Sequence, residues 1–172
     1  FVVAHFHYVF YPIAIIGTFT GVTYWFPKMF GRMMNERLGK IHFWLTIIPF
    51  NFIFIPMFIN GLAGQHRRIY NFNHYPELAV LTLQNLRIVA TLALVTMLLA
   101  QFIFLFNFFY SMFKGPKSGN NPWNSNTLEW TTTSPAPHGN WKVLPNCYRG
   151  PYEYSVPGRD SDFWPQDQPP TE

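Results

Sequence analysis

Residues 88–113 read IVATLALVTMLLAQFIFLFNFFYSMF, a run of 26 residues without Asp, Glu, Lys or Arg. Two further runs share this property and cover residues 1–27 and 41–66. Each is longer than the roughly 20 residues that an α-helix needs to cross about 30 Å of hydrocarbon, whereas β-strands rarely continue for so long. A segment inside a bilayer must also pair its own backbone groups. The sequence therefore predicts an all-α membrane protein with three transmembrane helices.

The last third of the chain has a different composition. Residues 114–172 contain ten of the fifteen prolines and four of the six tryptophans. The proline content allows disorder, but the aromatic content is high for a disordered segment. We predict two regions: a transmembrane helical segment over residues 1–113, and an irregular Pro-rich C-terminal tail over residues 114–172 that packs against a larger assembly.

The basic residues between the runs predict an orientation. Four of them lie between the first and second runs, namely Lys28, Arg32, Arg37 and Lys40, and Lys114 and Lys117 come directly after the third run. Three spans bring these two groups to one side, which the positive-inside rule assigns to the cytoplasm or the mitochondrial matrix. The tail is then on the inner side, and the loop over residues 60–87 is outside. Arg67, Arg68 and Arg87 lie in that outer loop against the rule, so the adjacent pair needs a local reason.

Charge and cysteine content exclude two classes of protein. The net charge of +4 arises in short loops rather than in a continuous basic stripe, so we expect no nucleic-acid partner. A single cysteine, Cys147, excludes an intrachain disulfide framework. The chain starts at Phe1 inside an apolar run, and we expect Phe1 to be an internal position of a longer sequence or a processed end.

Two histidines, His5 and His7, stand in the apolar stretch FVVAHFHYVF. On a strand they would share one face and could hold one metal ion, but on a helix they are separated by about 200°. If the segment is a helix, as predicted, His5 and His7 must therefore bind two different partners. A packed, hydrogen-bonded side chain is the ordinary alternative for a membrane histidine. Ionisable groups inside a membrane usually serve a function, and an axial imidazole is common on haem iron, so one helix could stand between two haems with Phe6 between the ligands.

Arg67 and Arg68 follow the second run on the same outer side as His5 and His7. Guanidinium groups pair well with carboxylates, and each haem carries two propionates. Lipid headgroups or solvent are the alternatives for this pair.

Four segments of the sequence together resemble a known family: VVAHFHYV, YWFPKMFGRMMNERLGKIHFW, GQHRRIY and NPWNSNTLEWTTTSPAPHGNW. They are similar to the C-terminal third of cytochrome c oxidase subunit I, in the haem-copper oxidase superfamily, and the three spans would be family spans ten to twelve. The resemblance implies that His5 is the catalytic ligand of the high-spin haem iron and His7 a ligand of the low-spin haem iron. It also implies that Phe6 lies between the haems and that Arg67 and Arg68 bind their propionates.

The resemblance further implies the cofactors and partners of a terminal respiratory oxidase that reduces O2 to water and pumps protons. These are two haems of the a type, and copper held at the oxygen site by ligands outside this chain. The partners are a chain with the upstream part of subunit I, subunits II and III, cytochrome c or a similar donor, and membrane lipids. The implied location is the bacterial cytoplasmic membrane, with the mitochondrial inner membrane as the alternative.

Other functions are also compatible with the sequence. A quinol oxidase or a nitric oxide reductase is the near alternative, while a non-redox membrane scaffold or a metal transporter is more distant. The sequence also departs from the family pattern at His66, where a proline is usual, and at Arg87, which is not expected near the third span.

Overall fold

The computed structural model describes residues 1–153, 155–161 and 164–170, except for the side chain of Asn73. The chain forms α1 (Val2–Tyr11), a π-helical turn (Pro12–Ile16), α2 (Gly17–Phe30), α3 (Glu36–Leu62) and α4 (Leu81–Lys114). Short 3-10 helices cover Phe72–His74 and Leu128–Trp130. No strand occurs in the part of the chain that is described.

Among the described residues, three helices are long and apolar enough to cross a membrane, and this confirms the predicted fold class. They are Val2–Phe30, Glu36–Leu62 and Leu81–Lys114, which we call the first, second and third spans. The first span is continuous through α1, the π-helical turn and α2. Pro12 begins the turn and has no N–H to donate to the preceding helical turn, so the local widening to a π-helix follows from its chemistry.

The second span begins earlier and ends sooner than the charge-free run 41–66. It begins at Glu36 because the side chain of Asn35 caps the helix, accepting a hydrogen bond of 3.1 Å from the backbone N–H of Leu38. It ends at Leu62, shortly before Gly64, which has a φ of +92°. Left-handed backbone near a helix end favours glycine, so the outer loop starts before His66.

The chain divides into two compact units, the first formed by Phe1–Gly21 with Asn35–Phe109. Its buried core contains Phe50, Ile53 and Phe54 from the second span and Met97 from the third. Partly buried residues that pack on this core include Tyr8 and Tyr11 of α1. The aromatic core therefore fixes α1, the helix with both histidines, against the second span.

Polar side chains also join the second and third spans within this unit. His42 is only 5% exposed, and its Nε2 lies 3.2 Å from Oε1 of Gln101. The ring of His42 also contacts the ring of Phe19 edge-on. Oδ1 of Asn107 accepts a hydrogen bond from the backbone N–H of Asn35, and Nδ2 of Asn107 donates one to the carbonyl oxygen of Asn35, both at 3.0 Å. Buried polar groups are costly without partners, so these pairs favour one packing of the spans.

The second unit consists of Val22–Met34 and Tyr110–Glu172. Lys28 donates from Nζ to the carbonyl oxygens of Thr132 at 2.6 Å and Asn120 at 3.0 Å. Trp130 is 2% exposed and donates from Nε1 to the hydroxyl of Tyr24 at 2.9 Å. The stretch of the tail over residues 120–132 is thus packed against Tyr24 and Lys28 of α2. The predicted inner-side location of the tail, and the predicted boundary between residues 1–113 and 114–172, stay predictions.

Candidate cofactor-binding site

His5, Phe6 and His7 lie in the helix Val2–Tyr11, and all three side chains are exposed in this chain. Helical geometry separates the two imidazoles by about 200° around the axis. No group of three or more His, Cys, Asp or Glu residues that could hold a metal ion occurs among the described residues. Because of their angular separation, the two histidines are suited to separate partners, each of which takes a single imidazole from this helix.

The ring of His7 is held in a defined orientation. Nδ1 lies 2.8 Å from the carbonyl oxygen of Val3, one turn earlier. Because a carbonyl oxygen can only accept a hydrogen bond, the ring must carry its proton on Nδ1. Nε2 then has a lone pair that is free to bind a metal ion. The ring also stacks on Phe54, with centroids 5.6 Å apart and planes at 14°. Metal-binding histidines commonly bond their second nitrogen to such a carbonyl, which fixes the tautomer.

Tyr8 connects α1 to the second span beside these histidines. Its hydroxyl donates to Oδ1 of Asn51 at 2.5 Å, and Nδ2 of Asn51 donates to the carbonyl of Ile47 at 2.8 Å. The Tyr8 ring also contacts Phe50 at 4.9 Å between centroids. Tyr8 and Asn51 were not among the site residues predicted from the sequence. The available signal was weak, namely a tyrosine next to His7 and an asparagine inside an apolar run.

Arg67 and Arg68 lie in the loop after the second span, and both are exposed. The structure brings them to a pocket of about 260 Å³ together with Val3 and Ala4 of α1 and Gln65 of the loop. Arg68 has a φ of +59°, a conformation that is uncommon for residues other than glycine. The loop therefore turns both arginines toward the start of the helix that carries His5 and His7.

No carboxylate within the described part of the chain neutralises the charges in this pocket. The one ion pair within the described residues joins Lys40 and Glu36, so neither Arg67 nor Arg68 has a carboxylate partner there. The buried Oε1 of Gln65 has no hydrogen-bond donor either. Two unpaired guanidinium groups beside a helix with two free imidazole nitrogens fit haem, which offers iron to the imidazoles and carboxylates to the arginines.

The two departures from the family pattern have different surroundings. The ring of His66 contacts Tyr75 edge-on, with centroids 5.7 Å apart, and His66 lines the same pocket as the arginines. Arg87 instead stacks on Phe72 and donates to the carbonyl of Leu78 at 3.0 Å. Arg87 is thus bound to the outer loop rather than extended freely into solvent.

The three apolar spans define an integral membrane protein. Residues 1–96 match the family model described as cytochrome c and quinol oxidase polypeptide I, and the chain belongs to this family. It is 45% identical over 172 residues to the alternative cytochrome c oxidase subunit 1 of Bradyrhizobium diazoefficiens, covering 99% of this chain and 29% of that protein. It is 41% identical over 159 residues to cytochrome c oxidase subunit 1 of Thermostichus vulcanus, covering 92% of this chain and 28% of that protein.

A third relative, cytochrome c oxidase subunit 1 of Synechocystis sp., is 42% identical over 156 residues, which are 91% of this chain and 27% of that protein. The chain thus spans less than a third of the length of these relatives. The comparisons confirm the family and the haem-copper oxidase class. The roles of His5, Phe6, His7, Arg67 and Arg68 stay predictions.

Proposed function

We propose that this chain supplies axial ligands to two haems in a terminal oxidase that reduces O2 to water and pumps protons. The observation that carries this proposal is the arrangement of His7, whose Nδ1 is bonded to Val3 and whose Nε2 is free. His5 lies two residues away on a different face of the same helix. When bound, haem supplies the iron centres for electron transfer and oxygen chemistry.

Each residue of this chain has a distinct task in the proposal. Nε2 of His7 binds the low-spin haem iron, and His5 binds the high-spin haem iron. Phe6 separates the two sites, and its ring meets the His7 ring at 89° with centroids 5.4 Å apart. Arg67 and Arg68 hold propionates by charge-assisted hydrogen bonds, which orient the haems and place positive charge beside them.

The oxygen site also needs copper, and we propose that its ligands come from polypeptide outside these 172 residues. The partners are then the upstream part of subunit I, subunits II and III, and cytochrome c, in a bacterial cytoplasmic membrane. Quinol is the second candidate donor, because the family description covers both donors. Oxidation assays with reduced cytochrome c and with a quinol distinguish the two.

Visible spectra of the complete oxidase test the ligand assignments. His7→Ala should remove the low-spin haem signal and retain at least part of the high-spin signal, and His5→Ala should do the reverse. His138→Ala, which removes an exposed histidine of the tail, is the matched control and should change neither. A His5 or His7 variant with both spectra intact contradicts the assignment.

A redox titration tests the arginines separately. Positive charge near a haem stabilises its reduced form, so Arg67→Ala with Arg68→Ala should lower the haem potentials by an amount on the order of tens of millivolts. Arg37→Ala, which removes an exposed arginine from the first turn of α3, should leave them unchanged. Unchanged potentials in the double variant would instead favour a lipid or solvent role for the pair.

A further inference from the structure

Arg87 lines a groove that the proposed oxidase chemistry does not use. The groove has a volume of about 420 Å³, and its lining includes Tyr70, Phe72, Gln84, Thr91 and Leu92. It lies entirely within the first compact unit. Arg87 is only partly exposed, and the Phe72 ring covers its guanidinium at 4.0 Å from the ring centroid.

The guanidinium of Arg87 is incompletely bonded. Nη2 donates to the carbonyl of Leu78 at 3.0 Å, but the buried Nη1 has no acceptor in the described part of the chain. None of the residues that line the groove is acidic. A shielded cationic N–H without an acceptor is unfavourable, so the groove is suited to an occupant that brings an anionic oxygen.

The position of Arg87 along the third span indicates where this occupant comes from. The span has 34 residues, about 51 Å of helix at 1.5 Å per residue, against about 30 Å of hydrocarbon and 40–45 Å with the headgroups. Arg87 directly precedes the charge-free run 88–113, so we expect it at the level where headgroups meet acyl chains. Beyond it, the side chain of Leu92 is 64% exposed and continues the wall of the groove toward the apolar part of the span.

We propose that this groove binds one anionic phospholipid, with its phosphate on Arg87 and an acyl chain along Ile88 and Leu92. An anionic lipid fits better than a zwitterionic one because no carboxylate lines the groove to receive a second, cationic group. The site also gives Arg87 a local reason to lie on the outer side, against the positive-inside rule.

Lipid binding to the protein purified from membranes with its associated chains tests the proposal. After delipidation, phosphatidylglycerol and phosphatidylcholine are titrated separately, and bound lipid is counted by native mass spectrometry. The wild-type protein should bind one phosphatidylglycerol molecule at this site. The Arg87→Gln protein should have an affinity for it that is at least about tenfold lower, as expected for the loss of a charge-assisted hydrogen bond. Lys114→Gln, which removes an exposed cation from the other end of the same helix, should bind like wild type.

A second variant keeps the test decisive if Arg87→Gln fails to assemble. Leu92→Trp fills the groove without changing its charge and should also lose this lipid, whereas Leu98→Trp, at an exposed position that does not line the groove, should retain it. Equal phosphatidylglycerol binding by the wild-type and Leu92→Trp proteins overturns the proposal. Equal binding of both lipids by the wild-type protein, or displacement of phosphatidylglycerol by millimolar inorganic phosphate, overturns it as well.

Discussion

The hydroxyl of Tyr8 donates to Oδ1 of Asn51 at 2.5 Å and joins the histidine-bearing helix to the second span. Tyr8 directly follows His7, so this bond limits rotation of α1 about its axis. Rotation of that helix would move both imidazoles together. The Tyr8–Asn51 bond therefore controls the direction in which His5 and His7 point, although neither Tyr8 nor Asn51 is a proposed ligand.

We expect Tyr8→Phe to destabilise the protein by about 1–3 kcal/mol, because it leaves the partly buried Asn51 oxygen without its donor. Thermal unfolding of the purified protein measures this loss. Tyr152→Phe, which removes the hydroxyl of a side chain that is 83% exposed, should change the melting temperature little. A double-mutant cycle with Asn51→Ala should show coupling between residues 8 and 51, and additive effects of the two changes would contradict the proposed link.

Two glycines of the second span should respond oppositely to alanine. A Cβ at Gly61 would collide with the backbone of Phe1, whose Cα would be 2.8 Å away, whereas a Cβ at Gly39 would meet nothing within 4 Å. Gly39→Ala should therefore stabilise the helix by about 0.5–1 kcal/mol. Gly61→Ala should destabilise the protein and alter the His5 and His7 environment, seen as a changed haem spectrum. Equal unfolding temperatures for these two variants would argue against close contact at Gly61.

The sequence predicted the three spans because each is a long run without charged residues, a property set by the bilayer rather than by contacts. The ends of the second span were predicted less well. The Asn35 cap starts the helix at Glu36, so the helix includes charged residues before the charge-free run, and the helix ends near Gly64, before that run is complete. The orientation of His7 depends on a local bond to Val3, but the pairing of Tyr8 with Asn51 joins residues 43 positions apart. Such distant contacts depend on helix packing, which span lengths do not reveal.

The predicted orientation of the chain can be tested with its own cysteine. Cys147 is exposed, unpaired and located in the tail, so a membrane-impermeant maleimide should label it only from the inner side. In a Cys147→Ser background, Tyr70→Cys replaces a side chain that is 99% exposed in the outer loop and should label only from outside. Labelling of both positions from the same side would overturn the three-span topology.

Lys28 should be important for packing of the tail. Its ammonium donates to backbone carbonyls of Asn120 and Thr132 and lies 5.0 Å from the centre of the Trp130 ring. Lys28→Met should lower the free energy of unfolding by at most about 1.5–3 kcal/mol for each charge-assisted hydrogen bond. The loss is smaller where water takes the place of the ammonium as donor to the carbonyl. Faster hydrogen exchange and proteolysis in residues 120–135 would reveal the loss. Lys114→Met, a change at an exposed position, is the control and should leave the tail protected.

The 172-residue stretch expressed by itself should not form a complete oxygen-reducing site. His5, Phe6 and His7 are exposed, and the stretch spans less than a third of its relatives, so a bound haem would have protein on only one side. We expect the stretch alone to bind haem weakly and to consume no oxygen, because the proposed copper ligands lie outside it. Co-expression with the upstream part of the subunit should restore both properties, and His7→Ala in the co-expressed pair should remove the low-spin haem again. Two tightly bound haems together with oxygen turnover in the isolated stretch would show that it forms a complete site without further spans.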